Sequence, residues 1–218
     1  MVVNSTWAFL YPLNLRVAGR ACVVVGGGAV AARKVAPLVD AGADITVVAP
    51  ELGEELAAMR SSHAWRWVRR EFEPDDAFGH TMLVAATDDR DANRRAAQAG
   101  RAAGALVNVV DDPDESDFVV PSVVRRGPLQ IAVSTAGLAP AFSAALRRRL
   151  EELFPQEYGQ AVEIVAAARV ELRAAGASEG ERRAAARRLA DLDILALLEE
   201  GGLERVSAAV SAACDAGA

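Results

Sequence analysis

The sequence predicts an α/β protein: a parallel sheet covered by crossover helices, then a small α+β region, then a C-terminal helical domain. Three observations predict it. Short β-type runs alternate with helical runs through the first half of the chain; a glycine-rich turn joins the first strand to the first helix; and from Pro140 onward apolar residues recur at helical spacing. Strands are expected at 21–25, 45–49, 65–69, 82–86 and 106–110. Val35, Leu38 and Val39 give the first helix an i, i+3, i+4 face, and Gly42 is placed to end it. That makes a βαβ unit of normal length. Thr87 and Asp88 follow the fourth strand and precede the helical run 93–97, so they are expected to cap that helix and to sit at the carboxyl edge of the sheet, where open α/β folds bind ligands.

The turn Gly26-Gly27-Gly28-Ala29-Val30-Ala31 follows the apolar run Ala21-Cys22-Val23-Val24-Val25 and leads into the first helix, the setting of a dinucleotide phosphate loop. Gly26 suits the tight turn, Gly28 lets a pyrophosphate approach the backbone, and Ala31 takes the position where the helix packs on the strand. The free N–H groups and positive dipole end of the helix would face the anion. The fold class is therefore a Rossmann-type parallel sheet. A tight βα turn with no ligand is the plainer alternative. An acidic residue about 20 positions after the glycines, which commonly binds the ribose hydroxyls, is absent at the end of the second strand; Val47-Val48-Ala49-Pro50-Glu51 stands there.

Past the fifth strand, Asp111-Asp112-Pro113-Asp114 marks a boundary. Strands are expected at 118–124 and 129–133, with Arg125-Arg126-Gly127-Pro128 turning between them. Phe142, Leu146, Leu150 and Leu153 form a helical stripe that Pro155 ends. Further helical runs are expected at 162–172, 182–198 and 203–213, separated by Gly176, Gly180 and Gly201-Gly202.

Composition narrows the function classes. The 218 residues are 52% hydrophobic with no apolar run long enough to span a membrane, so a core can be buried and no membrane partner is expected. Met1 to Leu15 has no Lys or Arg before Arg16 and no small-residue cleavage site, so a signal peptide is not expected. The two cysteines, Cys22 and Cys214, form neither a CxxC motif nor a disulfide framework, which fits a reducing cytoplasm. A net charge of −6 argues against nucleic acid as the main partner, and Trp65 and Trp67 alternate as a strand face does rather than as a base-stacking platform. His63 and His80 stand apart from each other and from both cysteines, so no metal site is expected.

Five motifs carry a resemblance: Tyr11-Pro12-Leu13-Asn14-Leu15, the run Val25 to Lys34, Ala85-Ala86-Thr87-Asp88, Asn108-Val109-Val110-Asp111, and Phe118-Val119-Val120-Pro121-Ser122. In this order the chain resembles the precorrin-2 dehydrogenase and sirohydrochlorin ferrochelatase family of siroheme biosynthesis. The resemblance covers about residues 8 to 160. It implies an NAD-binding domain at 1–113, a dimerisation region at 114–150, a helical domain at 151–218 and a homodimer. It also implies NAD-dependent oxidation of precorrin-2 to sirohydrochlorin, and leaves open a second step inserting Fe²⁺ as a substrate. The methyltransferase domain of some fused relatives is not in the sequence, so synthesis of precorrin-2 itself is not expected.

By this resemblance Asp111 is the catalytic residue, a carboxylate able to take a proton from the ring. The plainer reading of Asp111 is an Asp-Asp-Pro turn. The cofactor contacts implied are Gly26, Gly28, Ala29, Val30, Pro50, Glu51, Thr87 and Asp88, with NAD favoured over NADP because no arginine adjoins Glu51 in sequence. Asn108, Ser134 and Thr135 are candidates for the substrate site; Thr135 stands where fused relatives carry a serine. The substrate is a tetrapyrrole rimmed with carboxylates, so an acidic protein needs local positive charge, for which Arg125 and Arg126 are the candidates, with Arg147 to Arg149 nearby in sequence. The last three also fit the solvated side of an amphipathic helix. From a different class, a non-catalytic dimer that binds NAD(H) and reports redox state would need no base at Asp111.

Overall fold

The computed structural model describes residues 10–215. Residues 1–9, within the N-terminal segment weighed above as a leader, lie outside the described residues. The chain divides into two compact units, one ending at Val120 and one beginning at Pro121.

In the first unit, five parallel strands lie in the order β3-β2-β1-β4-β5: β1 Ala21–Val25, β2 Asp44–Val48, β3 Arg66–Val68, β4 Met82–Ala85 and β5 Leu106–Val109. Strand alternation sorts the apolar residues onto two faces. Cys22, Val24, Ile45, Val47, Met82 and Val84 meet α1 (Ala29–Asp40) and α2 (Glu54–Ser62), whereas Val23, Val25, Val48, Leu83, Ala85 and Val107 meet α3 (Arg90–Ala102). Both faces are covered, which is why these strands read as continuous apolar runs. The order reverses between β1 and β4, and ligands bind at such a point in open α/β sheets.

Helix α2 and the 3₁₀ turn Pro74–Ala77 carry no clear apolar stripe and escape the sequence reading; α2 buries only Leu56. β3 is shorter than expected. Trp65 is buried before the strand starts, and Trp67 donates its indole N–H to Ala49 O at 2.9 Å. Residues 114–120 belong with the first unit because they bond back to β5: Asp117 N–H donates to Val107 O and Asn108 Nδ2 to Phe118 O.

The second unit opens with an antiparallel hairpin, β6 Ser122–Arg126 and β7 Leu129–Val133. Two corrections concern it. Residues 118–121 are not strand, and Arg125 and Arg126 are the last residues of β6 rather than part of the turn. The turn is the pair Gly127-Pro128, with Gly127 at φ 51°, a left-handed corner that glycine accepts and proline can follow. Helices α4 (Pro140–Leu153) and α5 (Glu157–Ala174) pack on the hairpin, and α5, α6 (Glu179–Ala190) and α7 (Ile194–Asp215) pack on one another. Their shared core is Ala161, Leu189, Val206, Val210 and Ala213. The expected run 182–198 is two helices. Gly180 lies inside α6, whose start is fixed by Ser178 and Glu181 bonding to each other's backbone N–H. Gly201 and Gly202 kink α7 as expected. The stripe on α4 is not a buried face: Phe142 is 64% exposed and Leu153 54%.

Candidate functional site

β1 delivers the chain to the carboxyl edge, where Gly26 N–H donates to Val48 O at 2.9 Å. Gly26 has φ 122°, and a Cβ there would lie 2.4 Å from Ala86 O. At Gly27 a Cβ would lie 1.9 Å from Glu51 O, and Gly53 N–H closes the contact by donating to Gly27 O at 2.8 Å. The loop is thus wedged between the exits of β2 and β4. Gly28 differs, since a Cβ there would meet nothing within 4 Å. It is the N-cap of α1, with no side-chain cap and no acidic residue in the first turn. Two glycines fit the loop to the protein, and the third leaves bare backbone beside an uncapped helix N-terminus, the arrangement a pyrophosphate needs.

These features open on a cavity of about 940 Å³. Gly26, Gly28, Ala29 and Val30 form its floor, Pro50 and Glu51 line one side, and Thr87, Asp88 and Asp111 the other. The structure therefore brings together every cofactor residue expected from sequence, and Asp111 with them. Asp111 sits in the left-handed region at φ 58°, on a turn where Asp112 N–H donates to Val109 O at 3.3 Å. The turn residue and the cavity-facing carboxylate are the same residue. Aspartate tolerates this conformation better than most side chains.

Thr87 and Asp88 do not cap α3. Asp89 does, its carboxylate accepting from Asp91 N–H at 2.8 Å and Ala92 N–H at 3.1 Å. Those two backbone donors hold the Asp89 carboxyl below the usual carboxylate range. Thr87 is bound to Asn93, a buried side chain that accepts from Thr87 N–H at 3.1 Å and donates to Thr87 O at 2.9 Å. Arg95, which sequence reasoning missed, also lines the cavity. Its signal was present, because Ala92 and Arg95 lie three apart at the start of α3 and so share one face. Arg60 and Arg69 stand with Glu51 around a separate depression and lie 5.2 and 5.5 Å from the centre of the Trp67 ring. Neither lines the main cavity.

Other candidates sit elsewhere. Asn108 is 6% exposed and does not line the cavity; its Nδ2 donates to Phe118 O at 2.9 Å and its Oδ1 accepts from Lys34 Nζ at 3.4 Å. The substrate role expected for it is replaced by an internal one. Arg126 is likewise corrected. It is 8% exposed, with Nε donating to Phe154 O at 2.6 Å, one terminal nitrogen to Glu151 O at 2.9 Å and the other to Arg125 O at 2.9 Å. It caps the carbonyl end of α4 instead of offering a fork to a carboxylate. Arg125 is exposed beside it. Arg147 pairs with Glu151, while Arg148 and Arg149 are exposed. Ser134 Oγ accepts from Ala136 N–H at 3.1 Å, and Thr135 Oγ1 lies 3.0 Å from Ser143 Oγ and accepts from Ala139 N–H at 3.1 Å. These residues belong to the second unit, and the loop and Asp111 belong to the first.

Among the described residues, no group of three or more His, Cys, Asp or Glu side chains could hold a metal ion, and no helix is long and apolar enough to cross a membrane. Burial pushes the Cys22 thiol up to about 11, with Asp44 adding to the shift.

Comparison with known proteins agrees with this geometry. Residues 13–122 match the family described as putative NAD(P)-binding, and residues 126–153 match the central region of sirohaem biosynthesis proteins. Siroheme synthase 1 of Aeromonas salmonicida (strain A449) is 43% identical over 184 residues, 84% of this chain and 39% of that protein. The siroheme synthase of Neisseria meningitidis serogroup C (strain 053442) is 41% identical over 173 residues, 79% of this chain and 36% of that one. The chain thus spans less than half the length of these relatives. The solved structure titled SirC, precorrin-2 dehydrogenase, shares the fold, with a TM-score of 0.73 and 24% identity over 91% of this chain and 100% of that one. With a glycine loop that fits a dinucleotide and a family match over residues 13–122, the chain belongs to the putative NAD(P)-binding family, and along both units it is similar to siroheme synthases.

Proposed function

We propose that this protein is an NAD-dependent dehydrogenase that oxidises precorrin-2 to sirohydrochlorin. The observation that carries the reading is that Asp111 shares one cavity with the bare backbone of Gly28. NAD⁺ held in that cavity would supply the acceptor for the hydride equivalent that the macrocycle loses. Asp111 accepts the accompanying proton through its carboxylate, which stands exposed at the carboxyl edge. Gly28, Ala29 and Val30 bind the pyrophosphate through backbone N–H groups, and Arg95 adds positive charge on the same cavity. Glu51 lines the cavity whereas Arg60 and Arg69 do not, which supports NAD over NADP, since a carboxylate suits free ribose hydroxyls and opposes a phosphate.

The substrate's carboxylates call for Arg125, Ser134 and Thr135, exposed or half-buried in the region 114–150. The same region supports a homodimer: Leu138, in the turn just before α4, and Phe142, in the first turn of that helix, are 60% and 64% exposed. The assignment of roles expected from sequence, a cofactor domain at 1–113, a dimerisation region at 114–150 and a helical domain at 151–218, is part of this proposal as a division of function, with 114–120 packed on the first unit and α4 running across residue 150; a cytoplasmic location is also part of it. Fe²⁺ enters the proposal only as a second substrate, with the tetrapyrrole nitrogens as its ligands.

An anaerobic assay with precorrin-2 and NAD⁺ tests the reading. Reduced nicotinamide and sirohydrochlorin are expected to rise together in equal amounts, and Asp111→Ala to lower turnover strongly while NAD affinity stays near the parent value. Binding of NAD without turnover by the parent protein refutes the dehydrogenase and leaves a redox-reporting dimer. Addition of Fe²⁺ to the same cuvette then reads chelation.

A further inference from the structure

We propose that Ser116 is the positioning residue for Asp111, a role that rests on the dehydrogenase reading above. Asp111 is the third residue of the turn 109–112, in which Asp112 N–H donates to Val109 O at 3.3 Å, and it holds φ 58° there. Glycine or asparagine takes that conformation most readily at such a place. Another residue keeps it where the surroundings fix the backbone. The hydroxyl of Ser116 does the fixing. Its Oγ accepts from Val109 N–H at 2.9 Å and donates to Asp112 O at 2.8 Å, with Val109 O 3.1 Å away. One oxygen atom thereby ties the first residue of the turn to the last, with Asp111 between them.

The hydroxyl is itself held in place. Ser116 is 9% exposed, and its backbone N–H donates to Pro113 O at 3.1 Å. Arg101 of α3 grips the chain on either side: its guanidinium donates to Glu115 O at 2.8 Å, to Glu115 Oε2 at 3.0 Å and to Asp117 Oδ1 at 3.4 Å. The other oxygen of Asp117 accepts from Val107 N–H at 2.9 Å. Ser116 and Asp117 therefore both bond the outer edge of β5, and of the two Ser116 is the one bonded to the turn. Removing the hydroxyl leaves Val109 N–H, on a buried residue, without its partner, and the backbone must shift to find another. The turn then relaxes, and the Asp111 carboxylate moves from its place on the cavity. Ser116 does not line that cavity, so it acts on the reaction through Asp111.

Ser116→Ala, Ser116→Cys, Asp117→Ala, Asp111→Ala and the double variant Ser116→Ala/Asp111→Ala are compared with the parent for kcat, KM for the tetrapyrrole, Kd for NAD and melting temperature. Ser116→Ala is expected to lose about 10- to 100-fold in kcat, the scale of a catalytic group misplaced by about 1 Å, with KM and Kd within about twofold of the parent. Ser116→Cys keeps a weak donor and acceptor at the same place and should lose less. Asp117→Ala loses a bond to the same strand edge without touching the turn, so its melting temperature should fall while its kcat stays within about twofold. That control separates positioning from stability. In the double variant the losses should not add, because Ser116 has nothing to position once Asp111 is gone. Parental kcat in Ser116→Ala or Ser116→Cys, losses that add in the double variant, or an equal loss of kcat in Asp117→Ala overturn the role of Ser116 alone. Parental kcat in Asp111→Ala overturns the roles of Asp111 and Ser116 together, and no turnover by the parent protein overturns the dehydrogenase reading with them.

Discussion

Replacing Gly27 by alanine places a Cβ 1.9 Å from Glu51 O and 3.0 Å from the Ala49 Cβ. To bring the first contact out to 3.0 Å the loop and the Glu51 backbone must part by about 1.1 Å. The bond from Gly53 N–H to Gly27 O then stretches from 2.8 Å to about 3.9 Å, past any useful hydrogen bond. Overpacking of this kind costs about 1–3 kcal/mol and the lost bond about 1 kcal/mol more, so about 3 kcal/mol is expected in total. For a unit of this size that is a fall of roughly 12 °C in melting temperature. Thermal melting followed by circular dichroism measures it, with Gly28→Ala as the control. Gly28 has ordinary helix-start backbone and open space around its Cβ position, so that variant should melt within about 1 °C of the parent and bind NAD more weakly. A Gly27→Ala protein that melts within about 2 °C of the parent would refute the wedge between β2 and β4 as the reason for this glycine.

Gly28→Asp should abolish measurable NAD binding while leaving the fold intact, because it sets a carboxylate against the pyrophosphate; unchanged affinity by calorimetry would show that the loop is not the phosphate site. Arg126→Met should destabilise the second unit by about 3 kcal/mol, since Phe154 O and Glu151 O lose a buried charged donor, and a loss under about 1 kcal/mol in urea unfolding would contradict its capping role. The Arg70 side chain, through two hydrogen bonds of 2.6 and 2.7 Å, holds the Asp76 carboxyl below the usual carboxylate range. A depressed folded value means stability that is present at neutral pH and lost as the pH falls below about 4 and through the folded value. Asp76→Asn should therefore melt lower than the parent at pH 7, and the gap should close in acid; a gap independent of pH would assign the effect to packing.

The parallel sheet was legible because strands buried on both faces are unbroken apolar runs, and the loop because its glycines fall between strand and helix. α2 was not legible, as nine residues burying one leucine leave almost no periodic trace. The cavity residues near the loop could be placed because the carboxyl ends of β1, β2, β4 and β5 meet at one edge. Asn108 and Arg126 could not, for a sequence shows that a polar side chain exists but not that Phe118 O, or the end of α4, is waiting for it. The cap of α3 slipped by one residue for a related reason: Thr87, Asp88 and Asp89 all carry capping oxygens, and only the bond between Thr87 and Asn93 decides among them. Lys34 was quoted as part of a motif, and only the pleat of β5 gives it a partner.

The two compact units hold separate apolar interiors. Val23, Val25, Leu83 and their neighbours lie in one, and Ala161, Leu189, Val206 and Val210 in the other, with no residue common to both. Cooperativity travels through shared packing, so each interior carries a stability of its own. A lesion among the helices of the second unit can lower its local protection against hydrogen exchange while the β1 and β4 amides keep theirs. The stability of the β1–β5 sheet and that of the helices are, in this sense, quantities to be measured separately.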